Sequence, residues 1–123
     1  MAKIERFEEL QSWQKARLLT NLVYDLTGHP EFAKDFRLRN QIRDAAGSVM
    51  HNIAEGFDSG SNPEFIRFMK MARRSASEVQ SQLYLALDRK YITAEELKQA
   101  YDIATEAKRL INGMIAYLRQ HVT

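Results

Sequence analysis

Two clusters of basic side chains are the part of this sequence best suited to a chemical task, the binding of phosphate. The first cluster lies within residues 34–43, and the second lies within residues 67–74, where no acidic residue interrupts it. Lysine and arginine contact nucleic-acid phosphates without reading the base sequence. The alternative is a solvated charged face. We predict that RNA or DNA is contacted by Arg39, Arg43, Arg67, Lys70, Arg73 and Arg74.

A second group of residues suited to a chemical role consists of uncharged polar and acidic side chains. Its members recur at helical spacing along the edges of two apolar stripes, and they are Gln41, Ser48, Asn52, Glu55, Ser75 and Glu78. An unpaired polar group beside a core costs about 1–3 kcal/mol, so such groups need partners. We predict a polar network or a lining shared between subunits. A half-exposed helix edge wetted by solvent is the alternative.

Catalytic and metal-binding patterns are weak. Glu55 and Glu78 could face each other across two helices, and a carboxylate pair with split pKa values can do acid–base chemistry. The same carboxylates could equally cap helices or accept hydrogen bonds. The sequence has no Cys, no Gly-rich phosphate loop, and none of the Glu-x-x-His pairs that di-iron bundles require. We therefore expect no enzymatic activity, no cofactor and no metal.

Four long helices must position these side chains. Apolar residues recur every three or four positions over residues 8–26, 36–55, 62–89 and 93 to the C-terminus. The connection HPEFAKDF is the longest and could hold a short helical turn. Short loops between long helices favour antiparallel neighbours. We predict an all-α fold, an antiparallel up-down-up-down four-helix bundle formed by residues 1–123 as a single domain.

Individual residues mark the ends and crossings of these helices. Asn62 is suited to cap the third helix, and the Thr93–Glu96 spacing is that of a capping box before the fourth. Gly56 stands where a left-handed residue often ends a helix. Gly113 lies inside a helix, where glycine costs about 1 kcal/mol relative to Ala, so we expect a close helix crossing there.

The third helix also carries apolar residues outside its core stripe. Ile66 and Tyr84 lie on one flank of it, and Met71 and Leu85 lie on the other. Scattered exposed apolar residues are normal, but two such flanks on one helix suggest a partner. We predict that these four residues contribute to self-association.

Composition agrees with a globular cytoplasmic protein. The chain has 123 residues, of which 45% are hydrophobic and 28% charged, and its net charge is only +2. The N-terminal sequence MAKIERFEEL has no apolar signal region, and charges interrupt every apolar run well short of the ~20 residues that span a bilayer. We expect neither secretion nor membrane insertion.

The segment QIRDAAGSVMHNIAEGF, followed by SNPEFIRFMKMARRSASEVQSQL, resembles the 23S rRNA intervening-sequence proteins. The family pattern Gln-Ile-Arg-x-Ala is matched here, as are Asn-Ile-Ala-Glu-Gly and the Glu-Phe-x-x-Phe opening of the third helix. One departure is Arg74, which replaces a glycine of the family pattern. The opening FEELQSWQKA is also similar, so the resemblance covers nearly the whole chain.

This resemblance implies a four-helix bundle that forms homopentamers around a central channel and has no assigned biochemical role. Related bundle proteins of diversity-generating retroelements bind nucleic acid as accessory factors. Three functions follow as hypotheses. They are an oligomeric nucleic-acid accessory protein, a protein-interaction module without nucleic acid, and an enzyme or small-molecule site at Glu55, Glu78 and Asn52.

Overall fold

The computed structural model describes residues 3–121, which form helices and connections without a β-strand. A 3-10 turn at Phe7–Glu9 precedes five α-helices. These are α1 (Gln11–Leu26), α2 (Pro30–Lys34), α3 (Phe36–Phe57), α4 (Asn62–Asp88) and α5 (Ala94–Gln120). The predicted all-α class is confirmed, and the second, third and fourth predicted helices correspond to α3, α4 and α5. The short helix α2 lies in the connection where a helical turn was expected.

The four long helices surround a shared apolar interior and form a bundle. Helices α1 and α4 each pack against both α3 and α5. Leu19, Ile42 and Leu83 are fully buried in one half of this interior. Met69 and Ile111 are fully buried in the other half. Burying a side chain of this size contributes roughly 1.5–3 kcal/mol, which is why the apolar stripes determine the packing.

Cross-helix hydrogen bonds fix the height of each helix against its neighbours. The Thr20 hydroxyl of α1 donates to the Ala46 carbonyl of α3 at 3.0 Å. The Gln80 amide of α4 donates to the Thr105 hydroxyl of α5 at 2.9 Å. At the end of the bundle, the Asn62 amide donates to the carbonyl of His121 at 2.8 Å.

The helix ends agree only in part with the sequence-based expectations. The Thr93 hydroxyl accepts a hydrogen bond from the Glu96 amide at 3.1 Å, and the Glu96 carboxylate accepts one from the Thr93 amide at 2.9 Å. The predicted capping box is therefore confirmed. The prediction that Asn62 caps α4 is wrong, because the Ser61 hydroxyl accepts from the Glu64 amide at 3.3 Å. Ser61 has the extended backbone that an N-cap needs.

Neither of two glycines has the role that the sequence suggested. Gly56 lies within α3 and has no left-handed backbone, so it does not terminate the helix as expected. A Cβ atom there would lie 2.8 Å from the Phe68 Cβ and 2.9 Å from a Phe65 ring carbon, so α3 and α4 cross closely at Gly56. Gly113 is exposed, and a Cβ there would meet no atom within 4 Å. The close crossing expected at Gly113 is wrong.

Candidate nucleic-acid interface

The six predicted phosphate-binding residues lie in three places on the bundle. Arg39 and Arg43 lie on the edge of α3 that faces α1 and α2. Arg73 points toward α5, where its guanidinium donates to the Asn112 side-chain oxygen at 2.8 Å. The remaining three project from the solvent-exposed side of α4, and they are Arg67, Lys70 and Arg74.

Arg43 rests on α1. Its Nε donates to the Thr27 hydroxyl at 2.8 Å, and its guanidinium carbon lies 4.5 Å from the centre of the Tyr24 ring. Within residues 3–121, the two terminal nitrogens of Arg43 make no hydrogen bond. The side chain is thus held in place by one nitrogen and one ring, while two charged N–H groups remain available for a ligand.

Arg39 has a similar arrangement one helical turn earlier. Its Nη1 donates to the carbonyl of Ala33 at 3.1 Å, and its guanidinium carbon lies 4.8 Å from the centre of the Phe36 ring. An arginine over an aromatic face at an exposed site gains about 0.5–1 kcal/mol. Both arginines are therefore pre-positioned by their own chain without a carboxylate partner in the part that the structure describes.

The α4 surface contains both compensated and uncompensated charge. Arg67 binds the Glu64 carboxylate through two nitrogens at 3.0 and 2.9 Å. These hydrogen bonds lower the pKa of Glu64 and raise that of Arg67, so the pair stays ionised and its charges largely cancel. Lys70 and Arg74 are exposed neighbours at i, i+4 spacing. Neither forms an ion pair or a side-chain hydrogen bond with any residue of the segment 3–121.

Three of the six predicted polar-network residues are joined across α3 and α4. The Ser75 hydroxyl donates to the Ser48 hydroxyl at 3.0 Å. The buried Asn52 amide donates to the carbonyl and to the hydroxyl of Ser48, both at 2.8 Å. The three residues are therefore linked in one cluster, and its Ser75–Ser48 bond joins α4 to α3.

The other three members lie at the surface. Gln41 and Glu55 are exposed and make no side-chain hydrogen bond among residues 3–121. Exposed Glu78 accepts a hydrogen bond from the Gln82 amide at 3.3 Å, which keeps its carboxylate on α4.

The two carboxylates considered for catalysis are far apart. Gly56, next to Glu55, lies against Phe65 and Phe68 at the start of α4. Glu78 comes about ten residues after Phe68, which is about 15 Å along the helix. The expectation that Glu55 and Glu78 face each other is therefore wrong. In the described part of the chain, no cluster of acidic, His or Cys side chains could hold a metal.

The four predicted interface residues differ in exposure. Tyr84 and Leu85 are 50% and 49% exposed, although the Tyr84 ring packs edge-on against Tyr101 at 5.8 Å between centres. Ile66 and Met71 are partly covered by their own chain. The apolar surface that α4 leaves open is thus concentrated near its C-terminal end.

The aromatic partners of the arginines were missed by sequence reasoning. Phe36 is 64% exposed and Tyr24 is 49% exposed, so a large part of each ring lies at the surface. The Phe36–Arg39 pair has i, i+3 spacing, so it could have been found in the sequence. The Tyr24–Arg43 pair joins two helices, and only the packing of α1 against α3 reveals it.

The fold and these surfaces define a class of protein, an all-α helical bundle with exposed basic side chains. The chain belongs to the 23S rRNA-intervening sequence protein family, whose sequence model matches residues 8–113. The resemblance found in the sequence is thereby confirmed. No helix within the described residues is long and apolar enough to cross a membrane.

A solved structure has the same fold. It is the crystal structure of a protein of unknown function from the S23 ribosomal protein family of Bacteroides thetaiotaomicron VPI-5482, which superposes with a TM-score of 0.78. The two sequences are 24% identical, and the match covers 85% of this chain and 95% of the other. No similar sequence was found among curated proteins.

Proposed function

We propose that this protein is a non-catalytic, cytoplasmic homo-oligomer that binds the phosphates of RNA or DNA as an accessory factor. The observation that carries this proposal is the pair Lys70 and Arg74, two exposed cations one turn apart without a carboxylate partner among residues 3–121. The other predicted contacts are Arg39, Arg43, Arg67 and Arg73. Such contacts supply affinity that depends on salt and not on base sequence.

The finer topology that we propose is an antiparallel up-down-up-down bundle of the four long helices. Its support is the pairing of early residues in one helix with late residues in the next. Asn62 at the start of α4 bonds to His121 just beyond α5, while Gln80 in the second half of α4 bonds to Thr105 in the first half of α5. Gly56 near the end of α3 similarly lies against Phe65 near the start of α4.

Self-association would make this weakly charged chain an effective binder. Tyr84 and Leu85 offer an exposed apolar surface for it, and the half-buried Ile66 and Met71 are the other two predicted contacts. The family resemblance suggests a pentamer, and five copies of a chain with net charge +2 would carry +10. Repeated weak sites on one particle raise the overall affinity without any new contact.

Fluorescence anisotropy with labelled RNA and duplex DNA tests the proposal, with light scattering on the same samples to measure mass. The protein should bind as a species heavier than one chain, and affinity should fall steeply between low and physiological salt. Reversing Lys70 and Arg74 to Glu should remove most of the duplex binding while the mass is unchanged. Reversing Lys98 and Arg119 of α5 is the control with the same change in net charge.

Absence of binding by the wild type at low salt would overturn the proposal. Equal losses in the two double variants would also contradict it, because net charge and not the α4 surface would then govern binding.

A protein-interaction module without nucleic acid is the second candidate, and the exposed Tyr84 and Leu85 favour it. A pull-down that recovers one protein in constant ratio and no nucleic acid would support this alternative. An enzymatic role has less support, because Glu55 and Glu78 lie about 15 Å apart along the bundle.

A further inference from the structure

We propose that the edge between α1 and α3 is a site for single-stranded nucleic acid, at which bases stack and phosphates meet guanidinium groups. This inference rests on the proposed function, since it names the class of nucleic acid and a surface separate from Lys70 and Arg74. It is carried by three arginine–aromatic pairs that lie along this edge, called here the arginine–aromatic strip. The pairs are Arg17 with Trp13, Arg43 with Tyr24, and Arg39 with Phe36.

Helix geometry places these pairs on one side of the bundle. Trp13, Arg17 and Tyr24 recur at the spacing of a single helix face, which also contains Thr20, whose hydroxyl bonds to the Ala46 carbonyl of α3. The distance along α1 from Trp13 to Tyr24 is about 16 Å. Arg43 reaches across from α3 to Tyr24. The strip therefore runs along much of α1 and onto the start of α3.

Two of the three rings are open to a ligand, whereas Trp13 is half-buried against the apolar interior and the Phe7 ring. Phe36 is 64% exposed and Tyr24 is 49% exposed, so neither ring is used to fill the core. The guanidinium carbons lie 5.7, 4.5 and 4.8 Å from the centres of the Trp13, Tyr24 and Phe36 rings. Unpaired bases stack on aromatic rings and on guanidinium planes, and both are presented here.

The charges of the strip are uncompensated. Within residues 3–121, none of its three arginines forms an ion pair, whereas Arg67 and Arg109 elsewhere each bind a glutamate. Arg43 donates only its Nε, and Arg39 leaves Nη2 free in the described structure. A backbone that carries one negative charge per nucleotide complements such a row of cations.

The combination of rings and cations favours a single strand over a duplex. Base faces are stacked inside a duplex, so the rings would gain nothing from it and only the arginines would contribute. An acidic protein segment would likewise use the arginines but offer no stacking partner for each ring. Stacking of one base on one aromatic side chain changes affinity by roughly tenfold.

Trp13 provides a direct readout, because it is the only tryptophan in the chain and lies in the strip. Titration of the full-length protein with a single-stranded oligonucleotide should quench its fluorescence, whereas the duplex of the same sequence should leave it nearly unchanged. Tyr24→Leu and Phe36→Leu should each weaken single-strand binding about tenfold and duplex binding less than twofold. Tyr117→Leu is the control, because Tyr117 is an equally exposed ring on α5.

The outcomes separate this inference from the proposed function. Salt-sensitive binding that is lost in the Lys70 and Arg74 variant but unaffected by Tyr24→Leu and Phe36→Leu would overturn the strip and leave the proposed function standing. Failure of the wild type to bind any nucleic acid would overturn both. Quenching of Trp13 by polyglutamate as strong as that by the oligonucleotide would also overturn the strip, because it would show a general surface for acidic chains.

Discussion

Helix α3 has two edges that are built in opposite ways. The edge that faces α4 carries short side chains, namely Gly56, Ser48 and Asn52, and their hydrogen bonds are made inside the protein. The edge that faces α1 carries Arg39 and Arg43, whose side chains are long and keep N–H donors that form no hydrogen bond within residues 3–121. One sequence segment thus contributes to stability on one side and, in our proposal, to binding on the other.

The difference lies in where the polar groups find partners. A buried amide or hydroxyl must be bonded within the fold, because leaving it unpaired costs about 1–3 kcal/mol. Arg39 and Arg43 are only half-buried, so the donors that they do not use within the fold can be hydrated and remain available to a phosphate. Changes at the two edges should therefore have separable effects on stability and on binding.

The largest effect on stability is expected at the crossing of α3 and α4. In Gly56→Ala the new Cβ would lie 2.8 Å from the Phe68 Cβ, which can move only with its backbone. After allowance for the better helix propensity of alanine, we expect a loss of about 1–2 kcal/mol in the free energy of unfolding. Urea denaturation measures it, and single-strand binding should be unchanged.

Gly47→Ala is the matched control, because its Cβ would meet only the His51 ring at an ordinary 3.7 Å. It should stabilise the protein by about 0.5–1 kcal/mol. A Gly56→Ala protein as stable as the wild type would show that α3 and α4 do not cross closely.

Removal of the Asn52 amide comes next. Asn52→Ala deletes both hydrogen bonds to Ser48 at a buried position, so it should cost about 1 kcal/mol of unfolding free energy. Glu55→Ala, at the exposed surface of the same helix, should change stability by less than about 0.5 kcal/mol. Urea denaturation of both variants measures the difference. Similar losses of unfolding free energy would mean that the polar cluster has no structural role.

Arg43→Lys tests the edge of α3 that faces α1. The charge is kept, but the contact with the Tyr24 ring and the hydrogen bond from Nε are lost. Unfolding free energy should fall by less than about 1 kcal/mol. Anisotropy should show single-strand affinity falling severalfold, whereas Arg67→Lys should have a smaller effect because Arg67 is already occupied by Glu64. The reverse order would contradict the assignment of Arg43 to binding.

The smallest effect on binding is expected when the carboxylate that neutralises an arginine is removed. Glu64→Gln removes the negative charge that neutralises Arg67, so that its positive charge becomes available to phosphate. Affinity for RNA at low salt should rise about twofold, the equivalent of an exposed ion pair. Anisotropy at two salt concentrations measures the gain, which should vanish at high salt. A fall in affinity would count against contact with Arg67.

Much of the fold follows from local signals in the sequence. The Thr93–Glu96 capping box needed only neighbouring residues and was predicted, and the connection HPEFAKDF, which could hold a helical turn, contains α2. The errors arose where several residues compete or where distant residues meet. Ser61 and Asn62 are both good caps, and the extended backbone of Ser61 decides between them. The roles of Gly56 and Gly113 depend on whether another helix crosses there, and helical periodicity does not contain that information.

The candidate sites divide in the same way. Ser48 and Asn52 are one turn apart, so their contact could be predicted from spacing alone. Arg39 and Phe36 are also close in sequence, and their i, i+3 spacing is a local signal for the pairing. The contact of Arg43 with Tyr24 requires the heights and rotations of two helices, which no local pattern provides.

The separation of the two edges of α3 is tested most directly by measuring single-strand affinity and stability to urea on two variants. Arg39→Gln with Arg43→Gln should lose most single-strand affinity in anisotropy and keep nearly the wild-type urea midpoint. Gly56→Ala should lower the urea midpoint. Its single-strand affinity, measured without urea so that the variant is folded, should equal that of the wild type. If affinity and stability fall together in both variants, or if the double arginine variant binds as the wild type does, the division of α3 into a structural and a binding edge is wrong.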